Sequence, residues 1–295
     1  MLSMATIKIH SVGHAYDLTA PIDGSDVVVF IHGWLLSRRY WQPVIDRLKP
    51  QYQCLCYDLR GFGDSQLASR HPYSCDYAPA SYAQDLGILL EELNISKAWL
   101  VGHSLGGTIA LLAAQQLSDR IAGVVCVNAG GGIYLKEEFE RFRAAGEQIV
   151  RFRPRWLCHL PLIDLLFTRA QVACPVSREW SRQRLIDFVM ADPEAALGAL
   201  LDSTTETEVH RLPQVVAQLQ QPVYFLAGMC DQIMEPQYVR HLASFHHLFR
   251  SGYQNVIELA NCGHLAMIEQ PEQVVGHLRD ILAQHGSTQV QPHNH

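Results

Sequence analysis

No apolar run in this chain approaches the ~20 residues that a membrane-spanning helix requires. Met1 to His10 lacks the positively charged start, apolar segment and small-residue cleavage site of a secretory leader, so the expected compartment is the cytoplasm. A basic excess is missing too. The 23 Lys and Arg are outnumbered by 29 Asp and Glu, and the formal net charge of −6 argues against nucleic acid as a partner. Cys-x-x-Cys pairs are absent: the eight cysteines, Cys54, Cys56, Cys75, Cys126, Cys158, Cys174, Cys230 and Cys262, are scattered. That spacing suggests neither a zinc framework nor a small disulfide scaffold. Most of the eight sit in apolar runs, where buried reduced thiols are expected. There is no internal repeat and no long low-complexity segment.

What is present is length and apolar content. The 295 residues, 48% hydrophobic and 18% charged, suit one large α/β domain or a core domain carrying an insertion. Patterning predicts a strand over Thr6 to Val12 and a continuous apolar, β-branched strand over Val27 to Ile31. A helix over Arg39 to Leu48, a strand over Tyr52 to Tyr57 and an amphipathic helix over Ser81 to Leu93 follow. Next come a strand over Ala98 to Val101, a helix over Leu105 to Leu117 and a strand over Ile121 to Val127. Such alternation indicates a mostly parallel central sheet flanked by helices.

From Gly130 to about Pro213 the alternation stops, and helices broken by Pro154, Pro161, Pro175 and Pro193 are predicted. It resumes with a strand over Val223 to Ala227, a helix over Gln237 to Phe249, a strand over Asn255 to Leu259 and a closing helix over Pro271 to Gln284. The expected organisation is a core of residues 1–129 and 214–285, a helical cap of 130–213 and a frayed polar tail of 286–295.

One stretch stands out: Gly102-His103-Ser104-Leu105-Gly106-Gly107, between a short apolar strand and a helix of small residues. A serine on so sharp a turn has its hydroxyl pushed out at the sheet's end, and the flanking glycines avoid clashes there. The helix behind it offers free backbone N–H groups and partial positive charge. The competing reading is a helix-entry turn with a capping serine.

In an open parallel sheet, chemistry sits beyond the carboxyl ends of the strands. Three other predicted strand ends carry unusual residues: His32-Gly33-Trp34, Gly228-Met229-Cys230-Asp231 and Asn261-Cys262-Gly263-His264. The order Ser, Asp, His matches a nucleophile, an orienting acid and a base. A serine hydroxyl attacks poorly until a base takes its proton. An imidazole can take and return a proton at neutral pH, and a carboxylate fixes its tautomer and stabilises the imidazolium.

These residues, with Asp58-x-Arg60-Gly61-x-Gly63-x-Ser65, carry a resemblance over about residues 6 to 284. The chain resembles the α/β-hydrolase superfamily, in its capped branch of esterases and C–C bond hydrolases. The resemblance implies Ser104 as nucleophile, His264 as general base and Asp231 as its partner. It also implies an oxyanion hole made by the backbone N–H groups of Trp34 and Leu105, with no metal and no organic cofactor. Glu235 is an alternative acid, and Asp231 would then cap the following helix. Asn128, after the Val127 strand, is not a carboxylate and leaves the acid position used by some relatives unfilled.

Other polar residues read as structural. His32 is expected to pack and hydrogen-bond within its turn, Asp58, Arg60 and Asp64 to stabilise their loop, and His103 to act as scaffold. His241, His246 and His247 are expected on solvated helix positions. Cys230 and Cys262 adjoin the proposed acid and base but read as small buried filler.

The cap composition is uneven. Lys136, Arg141, Arg143, Arg151, Arg153 and Arg155 interleave with Phe139, Phe142, Phe152 and Trp156, before an apolar run to Phe167. One reading is a helix with one core face and one solvated face. The other is a cap that shelters an apolar substrate while its arginines meet an anionic head group or an acidic membrane surface. The expected activity is hydrolysis of a carboxylic ester of an apolar small molecule or lipid through an acyl-enzyme. Its competitors are C–C bond hydrolysis, thioester cleavage or a lyase step on the same fold, and a non-catalytic ligand-binding protein on a hydrolase scaffold.

Overall fold

The computed structural model describes residues 5–67, 76–130 and 136–285. Cys75 and the 286–295 tail lie outside the described residues, as do the side chains of Lys136 and Phe139. Among the described residues eight strands form one sheet: β1 (Ala5–Ile9), β2 (Val12–Leu18), β3 (Val27–Ile31), β4 (Cys54–Tyr57), β5 (Ala98–His103), β6 (Ile121–Val127), β7 (Val223–Gly228) and β8 (Val256–Leu259). Their order is β1-β2-β4-β3-β5-β6-β7-β8. The six strands from β4 to β8 in that order are parallel, while β1 and β2 join antiparallel. All five residues of β3 are buried, as a strand covered on both faces requires.

Twelve α-helices accompany the strands among the described residues: α1 (Gln42–Leu48), α2 (Pro79–Glu92), α3 (Leu105–Gln116), α4 (Lys136–Arg151), α5 (Ile163–Arg169), α6 (Arg178–Met190), α7 (Pro193–Ser203), α8 (Glu206–Gln218), α9 (Pro236–Ala243), α10 (His247–Arg250), α11 (Ala266–Glu269) and α12 (Pro271–His285). Leu86 and Leu89 of α2, Ile109 and Leu112 of α3 and Val216 of α8 join Val29 and Leu100 in one core layer. Val44 and Leu48 of α1 and Leu278 and Ile281 of α12 cover Val28, Phe30 and Val101 on the other face. Helices α4 to α8 all fall between β6 and β7.

The structure departs from the patterning in several places. The predicted Thr6 to Val12 strand is instead a hairpin. His10 and Ser11 take φ +48° and +68°, so the chain turns back and β2 pairs with both β1 and β4. Two left-handed residues form the tight turn that matches strand twist, but neither is the Gly or Asn that would announce it. Pro213, near which the strand-free segment was expected to end, lies inside α8. Its missing hydrogen bond is offset by the buried Leu212, Val215 and Val216 around it. The predicted Gln237 to Phe249 helix is two, and His246 caps the second.

That histidine is fully buried, not solvated. Its Nε2 meets Gln221 O at 3.1 Å and its Nδ1 accepts from Leu248 N at 3.3 Å. Burial, with the His247 charge beside it, lowers its pKa to about 4. His241 and His247 are exposed. Among the described residues no helix is long and apolar enough to cross a membrane.

Candidate active site

Ser104 sits between β5 and α3 with φ +50° and ψ −118°, a conformation that side chains rarely take. Its environment holds it there. Ser104 N donates to Val127 O at 3.1 Å on the neighbouring strand, and its carbonyl accepts from Gly107 N at 2.9 Å. A Cβ on Gly106 would press into the backbone oxygens of Ile31 and His32, and one on Gly102 into the Gly106 backbone. The glycines are therefore required by close backbone approach as well as by the turn.

Asp231 follows β7 and His264 follows β8. His264 Nδ1 donates to Asp231 Oδ2 at 2.8 Å. Asp231 is 3% exposed and accepts three further hydrogen bonds: Asn128 Nδ2 at 2.8 Å on the same oxygen, and Ile233 N and Met234 N at 2.8 and 2.9 Å on the other. Burial pushes its pKa up, but His264, Asn128 and the Met234 N–H outweigh that and hold the carboxyl below its ordinary range. Glu235 is exposed at the start of α9 and accepts from Gln237 Nε2. It takes no part in the His264 contact.

Asn128 is more than the empty acid position the sequence suggests. Its φ is +49°, and its amide bridges Asp231 Oδ2 and Gly263 O, each at 2.8 Å. One side chain thus ties the acid to the turn that carries His264. His103 is fully buried, with its ring 4.7 Å from that of His264 and its Nε2 donating to His264 O at 2.7 Å. That bond fixes the proton on Nε2. Burial first, then the neighbouring His264, drive its pKa well below the ordinary histidine value.

Three residues that the sequence did not flag complete the frame. Gln171, in the segment between α5 and α6, accepts from His264 N through its carbonyl at 2.8 Å. Its side-chain oxygen accepts from Arg184 Nε, also at 2.8 Å. Arg184 of α6 then donates to Leu35 O at 2.9 Å, beside Trp34. Leu35 has φ +56°, and the Trp34 indole donates to Ala196 O of α7 at 2.8 Å. Glu269 gathers the N–H groups of Gly263 and Leu265, on either side of His264, and of Ala173 and Cys174, at 2.7 to 3.1 Å. Only long-range geometry reveals these roles.

Ser104, His264, Trp34 and Leu105 line one cavity of about 280 Å³, with Phe142, Ile149, Phe167, Phe188 and Leu200 forming much of its apolar wall. Among the hydrogen bonds of the described residues, those of His264 reach Asp231, His103 and Gln171 and none joins it to Ser104; such pairs often close only when substrate arrives. Leu105 opens α3, so its N–H belongs to the first turn that has no acceptor within the helix. Among the described residues, Arg184 is the one permanently charged side chain in the lining.

Apart from His103, the residues read as structural lie outside this lining. Arg38 joins Asp17, Asp58 and Asp64, and Arg60 meets Asp85 at 2.9 Å. His32 bridges Gly33 O at 2.8 Å and Leu59 N at 2.9 Å. Cys262 is buried with a raised pKa, whereas Cys230 is exposed and so is not core filler. Of the seven described cysteines four are buried, as expected of most of them, while Cys158 and Cys174 are half-buried.

The chain belongs to the alpha/beta hydrolase fold family, whose model matches residues 26–271. A protein of Citrobacter koseri named 2-succinyl-6-hydroxy-2,4-cyclohexadiene-1-carboxylate synthase is 30% identical over 267 residues, 88% of this chain and 94% of that protein. Among solved structures, a thermophilic esterase from Thermogutta terrifontis superposes with TM-score 0.77 at 23% identity, over 97% of this chain and 100% of that one. The epoxide hydrolase CorEH superposes with TM-score 0.72 at 19% identity, over 96% and 99%. Those two likenesses speak to fold alone.

Proposed function

We propose that the protein is a serine hydrolase that cleaves a carboxylic ester of an apolar small molecule or lipid. The observation that carries this reading is the His264 Nδ1 to Asp231 Oδ2 hydrogen bond, 2.8 Å long, beside a cavity that Ser104 also lines. In the proposed reaction, His264 Nε2 takes the Ser104 proton as Oγ attacks the acyl carbon. Asp231, held ionised, stabilises the imidazolium. The Trp34 and Leu105 N–H groups hold the oxyanion, each worth about 3–4 kcal/mol where charge develops. The alcohol leaves with the proton, the acyl group stays on Ser104, and water activated by His264 releases the acid.

The similarity to the Citrobacter koseri synthase favours a second reading, a carbon–carbon bond step on the same residues. That protein's name carries a succinyl and a carboxylate group. Here the described cavity wall is mostly apolar, and the guanidinium in it, that of Arg184, already serves Leu35 and Gln171. The ester reading therefore fits the lining better. A reducing compartment such as the cytoplasm fits the seven described cysteines, none of which is paired.

The test is labelling with a fluorophosphonate probe, followed by turnover of a panel of p-nitrophenyl esters. Labelling that vanishes in Ser104→Ala and His264→Ala, with ester turnover, is the expected result. Labelling without turnover of any ester would favour the carbon–carbon reading. No labelling of folded protein would overturn both and leave a ligand-binding scaffold.

A further inference from the structure

Helix α5 packs Ile163 and Phe167 against the core, yet its other positions run against the usual pattern. Asp164 and Thr168 are buried, while Leu165 and Leu166 face outward, Leu166 being 71% exposed. A water-facing helix of a soluble domain shows the opposite arrangement. Leu162, just before it, is 56% exposed at φ +64°, where a turn with only a structural role would favour Gly or Asn. The chain leading into it continues the same face: Phe152 is 73% and Trp156 53% exposed. The Arg155–His159 turn and α5 both pack on α6 and also touch each other, so Trp156 and Leu166 belong to adjoining elements. So much apolar surface in one short stretch marks a contact surface.

Charge identifies what it contacts. Residues 148–178 carry Arg151, Arg153, Arg155, Arg169 and Arg178 against a single carboxylate, the buried Asp164, in a chain whose net charge is −6. Arg151 pairs with Glu147 just before this stretch, Arg178 with Asp164, and Arg153 donates to Val150 O and Phe188 O. Arg155 and Arg169 are exposed. Aromatic and leucine side chains framed by arginines match the boundary of an anionic bilayer, where apolar groups enter the acyl region and guanidinium groups stay at the head groups. A second copy of the chain fits less well, because a two-fold contact would set one arginine rim against the other. Ile149 is both exposed and part of the cavity wall, so the face runs to the mouth of the candidate site.

We infer that this face of the 149–169 segment docks the protein on an anionic lipid surface, from which an apolar ester enters the cavity. The second half of that statement rests on the function proposed above; the docking does not. The test uses the full chain with vesicles of phosphatidylcholine alone or mixed with phosphatidylglycerol, read by co-sedimentation. Wild type is expected to bind the anionic vesicles at least about tenfold more tightly and to lose that binding at high salt. Leu162→Asn with Leu166→Gln, both exposed and chosen to suit their backbone, should abolish it at unchanged thermal stability.

Ser104→Ala should bind vesicles like wild type, which separates docking from hydrolysis. The double variant should cleave a water-soluble short ester at the wild-type rate and a vesicle-borne long-chain ester at least about tenfold more slowly. Vesicle binding without any ester cleavage would sink the hydrolase reading and leave the docking intact. Equal sedimentation with both vesicle types, or a concentration-dependent dimer in gel filtration that the double variant abolishes, would overturn the docking.

Discussion

The backbone N–H of His264 ends 2.8 Å from the carbonyl oxygen of Gln171, a residue of the helical segment between β6 and β7. The same Gln171 accepts from Arg184, and Arg184 from there reaches Leu35 O. The proposed base and the proposed oxyanion loop are thus held by one bridge that lies outside the sheet. Arg184→Met should therefore lower kcat on a neutral short ester by about 10–100-fold, the scale of a small misplacement of reacting groups. KM should change little. Steady-state kinetics with added guanidinium ion checks it: partial rescue is expected, and a defect confined to KM would refute the positioning role.

Asn128 should matter through its amide. Asn128→Gly suits the φ of +49° and removes only the link from Asp231 to Gly263 O. A loss in kcat of about tenfold is expected, with a modest fall in stability of roughly 1–3 kcal/mol for the lost buried hydrogen bonds. Turnover and thermal melts on the same preparation distinguish the two effects.

Gly106→Ala tests the tightness of the turn. The new methyl would meet His32 O at 2.6 Å, and Ile31 O closer still. These are backbone atoms of β3 and its end, so they cannot swing aside. Destabilisation of about 1–3 kcal/mol or more is expected, read as a lower Tm or as insoluble protein. A wild-type Tm would show that the backbone yields.

Asp187 predicts a pH effect on stability. Its oxygens accept from Ser37 Oγ at 2.9 Å and Gln183 Nε2 at 2.8 Å. Burial pushes its pKa up to about 6, against the lowering effects of Ser37, Gln183 and Arg184. A raised acid pKa means the folded state binds the proton more tightly than the unfolded one. Stability from this group is thus present at low pH and lost as pH rises from about 4 to about 6, by on the order of 2–3 kcal/mol. Asp187→Asn should flatten that part of the profile. Its Tm relative to wild type should rise across the same interval by on the order of 5 °C; parallel profiles would exclude the effect.

Much of this was legible because the informative residues adjoin strands in sequence. The Val27 to Ile31 run, the small residues around Ser104 and the glycines before Asp231 and His264 announce strand ends locally. Asn128, Gln171, Arg184 and Glu269 do not, because each acts on a partner distant in the chain, often a backbone atom that no side-chain pattern encodes. The proposed oxyanion donors are hidden for the same reason. The His10-Ser11 turn was missed because ordinary residues occupy left-handed positions there, and the burial of His246 because helical spacing places it beside two exposed histidines. Helix α5 was unreadable for a different cause: its outward leucines look like core.

The helices α4 to α8 form one uninterrupted stretch between β6 and β7 and supply much of the cavity wall. A relative could in principle donate that stretch whole, through two junctions near Asn128 and Val223, and so transplant substrate preference without touching the strands. The graft would have to bring its own counterparts of Gln171 and Arg184. A donor without them would deliver a new chamber onto a candidate site that had lost its alignment.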